Sequence, residues 1–112
     1  MTGISTHVLD TSRGEPAQGI RVTLERTVPG ATWTLAGQGV TDSNGRVAQF
    51  LENRESLEAG LYKLTFYVDD YFGAEPHFFP QVSVQFLVRD PSVHYHVPLL
   101  LSPYGYTTYR GS

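Results

Sequence analysis

The sequence predicts an all-β fold, an antiparallel β-sandwich of seven to eight short strands. In several segments apolar and polar residues alternate with a period of two, as expected for strands with one buried face. Turn-forming segments such as "SRGEPAQG", "DSNG", "RDP" and "SPYG" separate these runs at short intervals. The length of 112 residues suits one core, so residues 1–112 are expected to form a single domain.

The strand runs can be taken in chain order. "ISTHVLD" opens the series, with His7 on the same face as Ser5 and Leu9. Three longer runs each present one apolar face. The face of "GIRVTLERTV" is formed by Ile20, Val22 and Leu24, and that of "LYKLTFYV" by Tyr62, Leu64, Phe66 and Val68. The face of "QVSVQFLVRD" is formed by Val82, Val84, Phe86 and Val88. The last two predicted strands lie in "HYHVPLL" and "YGYTTYRGS".

Two segments between the strands need separate interpretation. "DSNGR" begins like a calcium-binding loop but lacks the closing bidentate Glu, so a tight hairpin turn is predicted there. "ENRESLEAG" has helix-favouring residues, but it offers only Leu51 and Leu57 as an apolar face, so loop is favoured over helix.

Composition excludes several classes of protein. The charged fraction of 17%, the net charge of -3 and the apolar share of 40% are typical of globular chains, so no nucleic-acid partner is expected. Without cysteine there is no disulfide framework, thiolate nucleophile or zinc-thiolate site. No stretch approaches the run of about 18 apolar residues that spans a bilayer, and the start lacks a signal-peptide pattern. We therefore expect a cytoplasmic protein with no membrane partner.

The histidines are the first candidates for chemistry. "HYHVP" places His94 and His96 on one face of a strand, which is also a geometry for metal ligation, but no motif supplies a third and fourth ligand. No metal site is predicted. If the strands adjoin in one sheet, His7, His96, Thr107 and Tyr109 form a polar patch. The G-x-S-x-G, P-loop and G-x-G-x-x-G motifs are absent.

At this point the motifs "STHVLD", "DSNGR" and "HYHVPLLLSPYGYTTYRGS" resemble the 5-hydroxyisourate hydrolase branch of the transthyretin-like family. The resemblance covers essentially the whole chain, and "YRGS" is its most specific tag. It implies two four-stranded antiparallel sheets with one short helix near "DDYFGAE". It also implies a homotetramer, a dimer of dimers, whose central channel holds the active sites.

The same resemblance implies roles for single residues. His7 and His96 would be catalytic imidazoles, and Arg46 the catalytic cation that binds the substrate, with Thr107 and Tyr109 lining the pocket. The substrate would be 5-hydroxyisourate, and no cofactor or metal would be used. A neutral histidine is a competent general base near neutral pH, and an arginine fork suits adjacent carbonyl oxygens and ring nitrogens. Which histidine is the base, and what His94 does, stay open.

Two other functions remain possible from the residues. A transthyretin-like protein could bind a small molecule without turnover, and an immunoglobulin-like module could use the sandwich for interactions alone. The transthyretin carriers lack the histidines at positions 7 and 96, the arginine at 46 and the closing "YRGS", so a polar site would favour the enzyme. If Tyr109 faces a channel, the segment to Ser112 is expected to be ordered there.

Overall fold

A computed structural model describes residues 3–28, 30–51 and 57–112 of the chain. Within these ranges it contains nine strands and one short helix: β1 (Gly3–Asp10), β2 (Glu15–Pro16), β3 (Arg21–Thr27), β4 (Thr34–Val40), β5 (Arg46–Val47), β6 (Gly60–Phe66), α1 (Val68–Phe72), β7 (Val82–Val88), β8 (His94–Ser102) and β9 (Gly105–Thr108). The predicted all-β sandwich is confirmed, and the helix lies at the segment that the family resemblance indicated. The question of a helix in "ENRESLEAG" falls largely on residues 52–56, outside the described residues.

The strands form two sheets. One has the order β2-β1-β8-β9, with β5 also paired to β1, and the other has the order β4-β3-β6-β7. Among the described strands every pair is antiparallel except β1 and β8, which run parallel from Gly3 opposite His94 to Asp10 opposite Leu101. This pair is an exception to the predicted antiparallel arrangement, because alternation shows that a segment is a strand but not which way its neighbour runs.

The core lies between the two sheets. The predicted apolar faces of the runs that contain β3 and β6 are confirmed, since the residues of these faces, with Ile20 just before β3 and Val68 at the start of α1, are 1% exposed or less: Ile20, Val22, Leu24, Tyr62, Leu64, Phe66 and Val68. On the other sheet, Ile4 and Val8 of β1 and Leu99 of β8 face the same core and are fully buried. Successive side chains of a strand point to opposite faces, so the histidines of β1 and β8 lie on the outer face of their sheet. In the described chain, no helix has the length and apolarity to cross a membrane.

A buried carboxylate fastens the end of β1 to α1. Asp10 is fully buried, and its Oδ1 accepts hydrogen bonds from the backbone N–H and hydroxyl of Ser12, at 3.0 and 2.6 Å, and from the N–H of Arg13 at 3.2 Å. Its Oδ2 accepts the hydroxyl of Tyr71 at 2.7 Å. Burial alone would raise the pKa of Asp10, but the hydrogen bonds from Ser12, Tyr71 and Arg13 outweigh it and hold the pKa below its usual value.

Asp10→Asn is expected to lower the free energy of unfolding by about 2–3 kcal/mol at pH 7, because donors that the carboxylate satisfies lose an acceptor. The ionised carboxylate stabilises the fold above the unfolded pKa of about 3.9, and this contribution is lost as the pH falls through the lowered native pKa. Urea unfolding at pH 7 measures the effect. Asp90→Asn is the matched control, since the exposed Asp90 accepts the same two bonds from Ser92; equal losses in the two variants would contradict the assigned role of burial.

Candidate active site

Strand β1 brings three distant segments together. Its His7 lies opposite Arg46 of β5 on one side and opposite Pro98 of β8 on the other, and Ser5 lies opposite His96. Because residues two apart on a strand share a face, Ser5, His7 and His96 all belong to the outer face of this sheet. The structure therefore places His7, Arg46 and His96 side by side.

A tight turn fixes the backbone from which Arg46 projects. The Oδ1 of Asp42 accepts the N–H groups of Asn44 and Arg46 at 2.9 and 3.0 Å, and these two bonds lower the pKa of Asp42. Gly45 has a φ of +75°, and a Cβ there would lie 2.4 Å from the carbonyl oxygen of Val8. Only glycine fits this position, so the tight turn predicted at "DSNGR" is confirmed and Arg46 begins its strand directly beside β1. The turn is not the predicted hairpin, because β4 and β5 on either side of it belong to different sheets.

An open cavity of about 370 Å³ lies beside these side chains. This volume is within the usual range for small-molecule sites. Six of its seven lining residues carry hydroxyl, guanidinium or imidazole groups, and Ala48 is the seventh: Ser5, Thr6, Arg46, Ala48, His94, His96 and Ser112. Hydrogen-bond donors and acceptors of this kind suit a polar heterocycle better than an apolar ligand.

The surroundings of His96 favour its neutral form. Desolvation by burial lowers the pKa of His96, and electrostatic interactions with the Arg46 guanidinium and with the neighbouring imidazoles of His7 and His94 lower it further. Its Nδ1 lies 2.8 Å from the hydroxyl of Ser5, which leaves Nε2 as the nitrogen for other chemistry. The imidazole therefore stays neutral at pH 7, as a general base requires.

The structure shows no geometry for a metal site in the part of the chain that it describes. No three His, Cys, Asp or Glu side chains there are grouped as a metal ion would need. His94 and His96 share instead the hydroxyl of Ser5, at 2.7 Å from His94 Nε2. Sequence reasoning placed Ser5 on the face of His7 but assigned it no role.

The C-terminal segment covers His96. Gly111 donates its N–H to the carbonyl oxygen of His96 at 2.8 Å, and the guanidinium of Arg110 stacks over the ring of Tyr95 at 4.6 Å. A Cβ on Gly111 would lie 2.6 Å from Cδ2 of His96 and 3.2 Å from Cγ of Pro98. The glycine of "YRGS" thus lets the backbone lie against the imidazole. The sequence alone does not show why this position requires glycine.

Three of the residues named from the sequence do not line the Arg46 cavity. His7 lies next to it, paired with Arg46, but is not part of its wall. Thr107 is exposed and pairs with Leu100, further along β8 than His96. Tyr109 is 55% exposed and lines a second cavity of about 310 Å³, between β7 and the C-terminal segment, to which His96 also contributes. In the single chain, His7, Arg46 and His96 come together, whereas Thr107 and Tyr109 do not line the Arg46 cavity.

Comparisons with known proteins place the chain among two kinds of relative. The sequence profile of the HIUase/Transthyretin family matches residues 4–111. A 5-hydroxyisourate hydrolase from Deinococcus radiodurans is 51% identical, over 98% of this chain and 96% of that protein.

The fold alone does not distinguish the 5-hydroxyisourate hydrolases from the transthyretins. The structure of Klebsiella pneumoniae 5-hydroxyisourate hydrolase superimposes with a TM-score of 0.83 at 37% identity, covering 97% of this chain and 98% of the other. Sea bream transthyretin, solved with thyroxine, gives a TM-score of 0.88 at 27% identity, covering 96% and 93%. Sequence identity therefore favours the hydrolases, while backbone shape is common to both.

Proposed function

This chain belongs to the HIUase/Transthyretin family, and we propose that it acts as a 5-hydroxyisourate hydrolase of urate degradation. The reaction adds water to a ring amide of 5-hydroxyisourate and yields 2-oxo-4-hydroxy-4-carboxy-5-ureidoimidazoline. The observation that carries the proposal is the convergence of Arg46 and two imidazoles, His7 and His96, from three separate segments.

His96 is the general base in the proposed mechanism. Its Nε2 takes a proton from water as the water oxygen attacks the ring carbonyl carbon, and the same proton later passes to the ring nitrogen that leaves. The support for this role is the lowered pKa of His96 and the hydrogen bond that occupies its Nδ1. His7 supplies a second imidazole, on the strand between Arg46 and His96, and orients the attacking water.

Arg46 binds the substrate and stabilises the developing oxyanion. The guanidinium presents five N–H donors in a planar fork, which can contact two neighbouring oxygen or nitrogen acceptors at once. Donors aimed at an oxygen that gains charge stabilise the transition state more than the ground state. The turn held by Asp42 fixes the backbone of Arg46, so the fork begins from a rigid strand.

Arg46→Lys is expected to lower kcat/KM nearly as far as Arg46→Ala, by about a hundredfold, because a point charge does not replace the bidentate fork. The assay follows the ultraviolet absorbance of freshly made 5-hydroxyisourate with and without protein, against the spontaneous decay of the substrate. Arg89→Lys is the matched control, since Arg89 borders the second cavity and not the one that Arg46 lines. Wild-type turnover by Arg46→Lys would exclude bidentate recognition.

The same assay tests the alternative function, a transthyretin-like small-molecule binding protein without turnover. The structural similarity to sea bream transthyretin, which was solved with thyroxine, is the observation that supports this alternative. Against it stands the polar lining of the Arg46 cavity, which suits a charged or polar heterocycle. A protein that leaves the decay of 5-hydroxyisourate unchanged is not a hydrolase, whatever its fold.

The proposed working form is a cytoplasmic, one-domain subunit in a homotetramer, a dimer of dimers. Strands β7 and β9 end their sheets within the described part of the chain, and apolar side chains near these edges are exposed, with Leu87 at 50% and Tyr106 at 43%. Such edges favour pairing with another copy. In that assembly Thr107 and Tyr109 complete the substrate pocket. Light scattering on the purified protein measures its mass, and a monomer at working concentration would contradict this form.

A further inference from the structure

One hydroxyl group joins two imidazoles at the edge of the Arg46 cavity. The Oγ of Ser5 lies 2.7 Å from Nε2 of His94 and 2.8 Å from Nδ1 of His96, and both distances are those of good hydrogen bonds. Ser5 is only 8% exposed, and all three residues line the cavity. The arrangement has the form of a base with an orienting partner, which is the general pattern of activated catalytic groups.

A serine hydroxyl carries one hydrogen, so Ser5 can donate to only one of the two imidazoles, and two arrangements have Ser5 as donor to a histidine. If Ser5 donates to His96, then Nδ1 of His96 is an acceptor, the neutral ring carries its hydrogen on Nε2, and that nitrogen has no lone pair for a proton. If Ser5 donates to His94, then Nδ1–H of His96 donates to Oγ and Nε2 keeps its lone pair. Of these two arrangements, the second makes His96 a base at Nε2 and the first does not.

We propose that Ser5 and His94 are positioning residues, which hold neutral His96 in the tautomer with its hydrogen on Nδ1 and its lone pair on Nε2. This inference rests on the proposed function, in which Nε2 of His96 accepts the proton of water. His94 acts by accepting the only hydrogen of Ser5, and the Ser5 oxygen is then free to accept Nδ1–H of His96. A single unbranched chain of hydrogen bonds thus fixes both the ring plane and the protonated nitrogen.

The surroundings of His96 support a role for tautomer choice. Burial and the guanidinium of Arg46 disfavour a second proton on the ring, so the neutral form is the one that meets substrate. A neutral imidazole has one N–H and one lone pair, and which nitrogen has which is set by the partner of the other. When Nε2 takes a proton from water, the ring becomes an imidazolium whose Nδ1–H still donates to Ser5, so no bond in the chain is broken.

Four variants test the proposal by turnover. Ser5→Ala removes the link and is expected to lower kcat about tenfold or more with KM near wild type, because the loss acts on proton transfer and not on binding. Ser5→Thr keeps the hydroxyl and is expected to restore kcat. His94→Gln keeps an acceptor near the position of Nε2 and is expected to retain most turnover, whereas His94→Leu is expected to behave like Ser5→Ala. Wild-type kcat in Ser5→Ala would overturn the proposal.

A second measurement reads the tautomer without substrate. Nitrogen-15 NMR of the histidine side chains of the intact protein distinguishes a protonated ring nitrogen from one with a lone pair. The wild-type protein and Ser5→Thr are expected to show His96 with its hydrogen on Nδ1, and Ser5→Ala is expected to lose that preference. A wild-type His96 protonated on Nε2 would overturn this inference and the role of Nε2 as base, but not the hydrolase activity, whereas a wild-type protein without turnover would overturn the proposed function.

Discussion

Replacing His96 with alanine is expected to lower kcat/KM by about a hundredfold or more, since general-base catalysis contributes about 10² to 10⁴ in rate. The neutral ring at this position combines a lowered pKa, a hydrogen bond at Nδ1 and a place on the wall of the Arg46 cavity. Most of the loss should appear in kcat, because the base acts in the transition state. Stopped-flow absorbance with 5-hydroxyisourate separates kcat from KM.

His77→Ala is the control for this substitution. His77 lies beside α1, where its ring nitrogens bond to the carbonyl oxygen of Glu75 and the carboxylate of Asp69, and both bonds raise its pKa. His77 therefore lies in another part of the fold from His96, and its pKa is shifted in the opposite direction. Equal losses in His96→Ala and His77→Ala would mean that the fold, and not the chemistry, is being measured.

The pH dependence follows from the direction of the His96 pKa shift. The active form of the base is neutral, so kcat/KM should fall as the pH drops and His96 takes up a proton. Since burial and neighbouring charge lower the pKa of His96, the acid limb should lie below the ordinary histidine value of about 6.5. A profile of the wild-type protein whose acid limb lies above that value would contradict the assignment of His96 as base.

Much of the fold could be predicted from the sequence, and the exceptions have physical reasons. Alternation with a period of two identifies half-buried strands, and it placed the apolar faces of β3 and β6 correctly, from Ile20 to Leu24 and from Tyr62 to Val68. The pairing of β1 with β8 has no local signal, because these strands are distant in sequence and parallel. Resemblance to a family, and not periodicity, indicated where α1 lies.

The candidate site was also predicted from the sequence only in part. The patterns predicted a polar patch with His7 and His96 on condition that their strands adjoin, and the family resemblance added Arg46. The register of β1 with β5 and β8 brings these three residues together. The roles of Ser5 and Gly111 depend on distances of a few ångströms between segments far apart in the chain. No one-dimensional pattern carries that information, although the position of Ser5 on the face of His7 was an available signal.

Gly111→Ala tests how closely the C-terminal segment and the base must fit. The added Cβ would lie 2.6 Å from Cδ2 and 3.3 Å from Cγ of His96, so the imidazole or the segment must move. A shift of the ring strains its 2.8 Å bond to Ser5, and a shift of the segment strains the 2.8 Å bond from Gly111 N–H to the His96 carbonyl. Misplacing a catalytic group by about 1 Å can cost about a hundredfold in rate.

We therefore expect Gly111→Ala to lower kcat about a hundredfold while the protein stays folded, because the clash is confined to the outer face of the sheet. Gly105→Ala is the matched control in the same part of the chain, since a Cβ there would meet only Ser102 Oγ at an ordinary 3.7 Å. Thermal unfolding shows whether both variants remain folded, and the absorbance assay compares their kcat values. Wild-type kcat in folded Gly111→Ala would mean that the segment tolerates displacement, and that the backbone of "YRGS" does not set the position of the His96 ring.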